Sequence, residues 1–381
     1  MIRIDSRRGS GALMVAHCAG MVDMVALPVW IGTLVSRYGL DPQQAGGLAT
    51  LFLFGAVLAS AVLGPRFGRL PGRAVATTGF GVAAAAFFAV STTAHFGTMV
   101  VLHALAGMSI GAALSVTHGT IARSARPHRL FALAGTALGV FAVLFLGAAP
   151  PIIAAIGGPV LFMIFGAIMG VAAVVTVLAF PSAQAPDSGK CSAPAAPHVP
   201  PAVWFGHVGM GGMTVVQAMT FSFLERVGSD RGFGPEAITG VLIALGMVNL
   251  FPAPLAALLE KRLPARKVML AGPVLQALLV VAIMNATSFA PYAVAASVFA
   301  AVIIFTHTFA FGLLARLDSS GRALAVMPSA LMLGSAVGPL LGGTLVKYAG
   351  YGSLGLAALA IASVTVACFT RLPSPAAAPV L

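Results

Sequence analysis

The chain has 381 residues, 59% of them hydrophobic and 8% charged, with a formal net charge of +12. Soluble domains carry about 25% charged residues, so the composition excludes a soluble enzyme and points to an all-α polytopic membrane protein. Nucleic-acid binding is not implied by the positive charge, whose placement has a topological explanation given below.

Arg3, Arg7 and Arg8 precede an apolar stretch as long as a full span, longer than the h-region of a cleaved signal peptide. A helix crosses the hydrocarbon core with about 20 residues. Hydropathy predicts twelve spans, at 11–34, 44–64, 74–94, 97–121, 130–150, 158–180, 202–224, 237–259, 268–287, 291–315, 323–345 and 352–370. Pro28, Pro328 and Pro339 mark kinks, and Pro150-Pro151 mark the end of the fifth span. Residues 181–201 are rich in Pro, Ala and Ser and lack hydrophobic periodicity, as a cytoplasmic linker would. They separate a six-helix bundle at 1–180 from a second at 202–381. Cys18, Cys191 and Cys368 show neither zinc nor redox spacing.

Placing the N-terminus in the cytoplasm puts 17 of the 21 Lys and Arg residues inside. Only Arg37, Arg226, Arg231 and Lys347 fall outside. This is a strong positive-inside asymmetry with both termini cytoplasmic, and it explains the basic clusters as topology determinants facing anionic lipid. Short loops and the lack of an organellar presequence point to a bacterial inner membrane.

The two halves look related. Each opens with a histidine (His17, His207) and continues through a span and an outer loop to a proline-initiated helix (Pro42, Pro235). Two parallel six-helix repeats are a transporter signature.

With these features the chain resembles the major facilitator superfamily of secondary transporters over essentially its whole length. The segment from Gly64 to Arg73 is similar to that family's loop motif G-x-x-x-D-R-x-G-R-R. Arg69 and Arg73 are retained, and Gly68 stands where the Asp is expected. Its counterpart after span 8 keeps the acid and the cations, as Glu260, Lys261, Arg262, Arg266 and Lys267. The resemblance implies a gating role for these loops, joining the halves by charge pairs to helix ends. Span 11 carries Gly334, Gly338, Pro339, Gly342 and Gly343, which match the family's G-x-x-x-G-P-x-x-G-G pattern and suit close helix packing. Many relatives have an Arg four residues before a Gly in span 4. Here His103 precedes Gly107, and the resemblance implies a titratable substitute in proton coupling.

The central candidate is Asp23, a carboxylate in the middle of span 1. Such a residue costs about 2.5–3.5 kcal/mol to insert, a cost usually tied to function. A proton carrier is expected at Asp23. Substrate contacts are expected from His17 and Met21 in span 1, from His207, Met210, Thr214 and Gln217 in span 7, and from His307 in span 10. In one continuous helix His17, Met21 and Met24 would share a face, and Asp23 would point about 120° away from His17.

No intramembrane Lys or Arg is evident, which favours a neutral or cationic solute. The phosphate-binding pattern G-x-x-x-x-G-K-[ST] is also absent, so the driving force is expected from an ion gradient, with no cofactor. The leading expectation is thus a proton-coupled transporter of a small organic solute. Its partners are that solute, protons and membrane lipid, and the chain is expected to work as a monomer. A copper-like metal importer is the alternative, using the stripes His17/Met21/Met24 and His207/Met210/Met213 as soft ligands. A non-transporting receptor is a third reading.

Overall fold

The computed structural model describes residues 2–63, 66, 70–181, 201–317 and 322–372. Among them lie fourteen α-helices and no strand. The first half contains α1 (Arg7–Gly20), α2 (Val22–Tyr38), α3 (Pro42–Leu63), α4 (Gly72–Val90), α5 (Phe96–Ala122), α6 (Pro127–Ile156) and α7 (Pro159–Ala179). The second contains α8 (Pro201–Asp230), α9 (Pro235–Val248), α10 (Pro252–Leu259), α11 (Ala265–Asn285), α12 (Phe289–Leu317), α13 (Arg322–Ala349) and α14 (Gly352–Thr370). They correspond to the twelve predicted spans, because α1 and α2 share the first and α9 and α10 share the eighth. Eleven spans are long and apolar enough to cross a membrane. The exception is α8, which His207, Thr214, Gln217, Thr220, Ser222 and several glycines make less apolar. The chain forms two compact units, Met1–Asp187 and Ser188–Leu381. Of the predicted linker, residues 182–200 lie outside the described residues.

Local chemistry sets the helix ends. Ser6 accepts the Gly9 N–H at 3.0 Å and opens α1. Gly39, at φ 64°, closes α2 in the left-handed region, and the Leu40 N–H reaches back to the Leu34 carbonyl. Asp41 and Gln44 then start α3 with a reciprocal pair of side-chain-to-backbone bonds, at 2.9 and 3.1 Å. Proline stands in the first turn of α6, α7, α9 and α10, where no intrahelical N–H bond is lost.

Three departures from the sequence reading have physical causes. The first span is broken at Met21 (φ −108°, ψ 20°). Asp23, a residue type that competes poorly inside helices, stands two positions past the break, and Pro28 removes the N–H that would reach the Met24 carbonyl. The eighth span is broken after Val248, ahead of Pro252. Conversely, α6 does not stop at Pro150-Pro151 but continues to Ile156, where Gly157 ends it at φ 117°.

Lipid tails are as apolar as leucine, so contacts between spans rest on close packing. In the first unit α3 lies against α5 through Gly55, Gly107 and Gly111. A Cβ on Gly107 would strike the Phe52 carbonyl, and one on Gly111 the Ala56 carbonyl. In the second unit α13 lies against α8, with Gly334 facing Gly211 and Thr214, Gly338 facing Ala218 and Met219, and Gly342 facing Met219 and Phe223. Pro339 follows Gly338 inside α13. Beyond these pairs the units repeat one arrangement: α4 packs on α5 and α7, and α11 packs on α12 and α14.

Candidate transport site

In the first unit the break at Met21 places Asp23, half-buried, in the first turn of α2. The unpaired N–H groups there favour negative charge. The break also removes the assumption behind the predicted 120° separation from His17, since the two residues now belong to different helices. Met21 is the residue of the break itself. His17 is buried on α1, and its Nδ1 lies 2.9 Å from Nε2 of His118 on α5. This pair was not foreseen, because the two residues are 101 positions apart.

His103 occupies an aromatic core. It is fully buried, its Nδ1 lies 2.7 Å from the Met99 carbonyl, and its ring stacks on Trp30 with centroids 5.5 Å apart. Phe87 and Phe162 meet it edge-on. Its Nε2 has no hydrogen-bond partner. This is the geometry of a packed aromatic core, and a role for His103 in proton coupling stays a proposal.

In the second unit α8 divides its polar residues between two roles. His207 is buried with Nδ1 3.0 Å from the Val203 carbonyl and its ring against Trp204. Thr214 is bonded back to the Gly211 carbonyl at 2.8 Å, on the face packed by Gly334. Met210 and Met213 are core residues, clustered with Met269, Met327 and Phe369. Met210, an expected substrate contact, thus lies in the core of its own unit. Gln217 is different. It is half-buried, and its Oε1 accepts from Nε2 of Gln276 on α11 at 3.2 Å. The Gln276 amide is itself buried and also donates to the Met213 carbonyl. Sequence reading missed Gln276, whose signal was an isolated amide inside span 9. His307 on α12 is half-buried against Phe311 at 4.1 Å, with Nε2 unpartnered. At the break between α9 and α10 the buried Oδ1 of Asn249 also lacks a partner.

The metal alternative fares poorly on this geometry. His17 is paired with His118, Met24 is 55% exposed, and Met210 and Met213 are core. Among the described residues no group of three or more His, Cys, Asp or Glu side chains could hold a metal ion.

Comparison with known proteins decides the family. The family model of the Major Facilitator Superfamily matches residues 12–317. The chain belongs to the Major Facilitator Superfamily. Solved transporter structures resemble it along nearly their whole length. The crystal structure of the nucleoside transporter NupG (D323A mutant) superposes with a TM-score of 0.76 at 11% identity, covering 95% of this chain and 98% of that one. A bacterial homologue of the human lysosomal transporter Spinster, in an inward-facing and unoccupied conformation, gives a TM-score of 0.68 at 15% identity, covering 95% and 94%. No curated protein sequence matches this chain. At these identities the solved structures establish the fold alone. The protein is an integral membrane protein of a transporter superfamily.

The superfamily loops can now be placed, apart from Arg69, which lies outside the described residues. Arg73, at the start of α4, donates to the Leu178 carbonyl at the end of α7 (3.3 Å). Arg266, at the start of α11, donates to the Thr370 carbonyl at the end of α14 (2.9 Å). Both cations thus meet the negative end of the last span of their own unit. Glu260 pairs with Arg316 of α12 at 3.1 Å, and Lys261 is exposed beside it. At the opposite end of the second unit Arg226 pairs with Asp230 at 2.5 Å, and Tyr351 donates to Asp230. Burial and that bond both push the Tyr351 phenol above its usual range, so it stays a donor. Arg231 caps the end of α11 through the carbonyls of Met284 and Ala286.

Proposed function

We propose that the protein is a secondary active transporter of a small neutral or cationic organic solute, coupled to protons, working by alternating access between its two bundles. One observation carries this reading: Asp23 stands in the first turn of a helix that restarts within span 1. Discontinuous spans are where transporters place coupling and substrate groups. Asp23 is the carboxylate that takes up and releases the proton. Gln217, held through its carbonyl by Gln276, and His307, with a free Nε2, supply polar contacts from the second unit. His17 and Thr214 stay secondary, because both already have partners. Spans without fixed cations fit a solute that carries no negative charge. Nucleosides, the cargo named for one structural neighbour, belong among the first solutes to try. A bacterial inner membrane and a monomeric state complete the proposal.

The test is uptake into proteoliposomes under an imposed proton gradient, using a panel of neutral and cationic solutes. Wild-type protein is expected to accumulate one class above equilibrium, whereas Asp23→Asn only equilibrates it. Equal accumulation by both proteins removes Asp23 from the coupling.

A further inference from the structure

The second unit holds a cavity of about 560 Å³ between α10, α11, α12 and the loop that joins α10 to α11. Its charged lining consists of Lys261, Arg262, Arg266, Lys267 and Arg316, against the single carboxylate of Glu260. Leu270, Phe309 and Leu313 form apolar wall beside them. The positive-inside rule accounts for a count of cations in a loop. It does not require that they surround a hollow, or that Arg316, some fifty residues later in the chain, converge on the same one.

Two of the five cations are engaged: Arg316 by Glu260, and Arg266 by the Thr370 carbonyl. Among the described residues no carboxylate pairs with Lys261, Arg262 or Lys267. Three like charges around one cavity repel, and an anion seated among them relieves that repulsion. A phosphate group offers several acceptor oxygens to guanidinium and ammonium donors. Basic hollows between spans on the cytoplasmic side suit lipid phosphate, with an apolar wall for the stem of the lipid.

We propose that this cavity is a phosphate-binding site, filled by the headgroup of an anionic phospholipid or by free phosphate. It is distinct from the transport site and independent of the solute assignment.

Purified full-length protein in detergent is titrated with phosphatidylglycerol, phosphatidylcholine or inorganic phosphate, with retained lipid read by native mass spectrometry. Wild type is expected to retain phosphatidylglycerol over phosphatidylcholine. Arg262→Gln/Lys267→Gln is expected to weaken that retention by about fivefold for each cation removed. Arg126→Gln/Arg129→Gln removes equal charge from the first unit and leaves retention unchanged. If inorganic phosphate raises the melting temperature of wild type but not of the cavity variant, while lipid retention shows no preference, the site is still a phosphate site and its source is free phosphate. Equal retention of both lipids with no phosphate effect overturns the proposal. So does equal loss in the two double variants, which reports diffuse surface charge. Circular-dichroism melts confirm that both variants fold.

Discussion

Asp23, His103 and the packing glycines show how single positions divide between chemistry and structure. Asp23 costs stability where it stands, so Asp23→Leu should resist denaturation in detergent by about 1 kcal/mol more than wild type while losing coupled uptake. A variant that loses both would make the carboxylate a structural ligand. His103 sits in an aromatic box with one nitrogen unpaired, so His103→Phe should fold normally and keep proton-driven uptake. Loss of coupling with an unchanged melt would place His103 on the proton path. Gly338→Val forces side-chain atoms against the α8 backbone near Met219, and about 1–3 kcal/mol of destabilisation is expected from overpacking. Gly170→Ala, where a Cβ meets nothing within 4 Å, is the matched control and should leave the melt unchanged. These roles were legible in the sequence to different degrees. The glycine spacing in span 11 announced close packing, and an acid in mid-span announced itself by its cost. The pairs His17–His118 and Gln217–Gln276 were invisible, because each joins distant helices by side-chain geometry that hydropathy does not encode.

At the scale of the element, hydropathy located every span, because twenty apolar residues are needed wherever a helix meets lipid. It did not locate the breaks. A span interrupted at Met21 has the same mean hydropathy as an unbroken one, because the break lies in backbone geometry ahead of Asp23 and Pro28. The prolines misled in the opposite direction, for α6 passes through Pro150-Pro151 with only two ladder bonds missing. The repeat reappears in a contact no span boundary reveals, the arginine at the start of α4 or α11 that meets the end of α7 or α14. Arg266→Ala should cost less than about 1 kcal/mol, since the contact is exposed and screened. A larger loss in a thermal melt would mean that the contact organises more than a helix end.

For the whole molecule, charge placement predicts the orientation. Arg262→Cys, in a background with Cys18, Cys191 and Cys368 replaced by Ser, should react with an impermeant thiol reagent only after the membrane is opened. Tyr348→Cys, at the far end of α13 and 73% exposed in wild type, should react in intact cells. The reverse pattern would invert the topology. The superfamily was legible from the loop and span 11 motifs together, while the solute was not, because half-buried polar groups such as Gln217 and His307 carry no solute signature in their spacing. The most direct measurement of the central claim places the protein in liposomes loaded with a pH-sensitive dye, adds each solute without any imposed gradient, and compares wild type with Asp23→Asn. The account predicts that one solute class drives protons inward with wild type and moves none with the variant. Solute flux without a proton signal, identical in the two proteins, would contradict it and make this chain a uniporter.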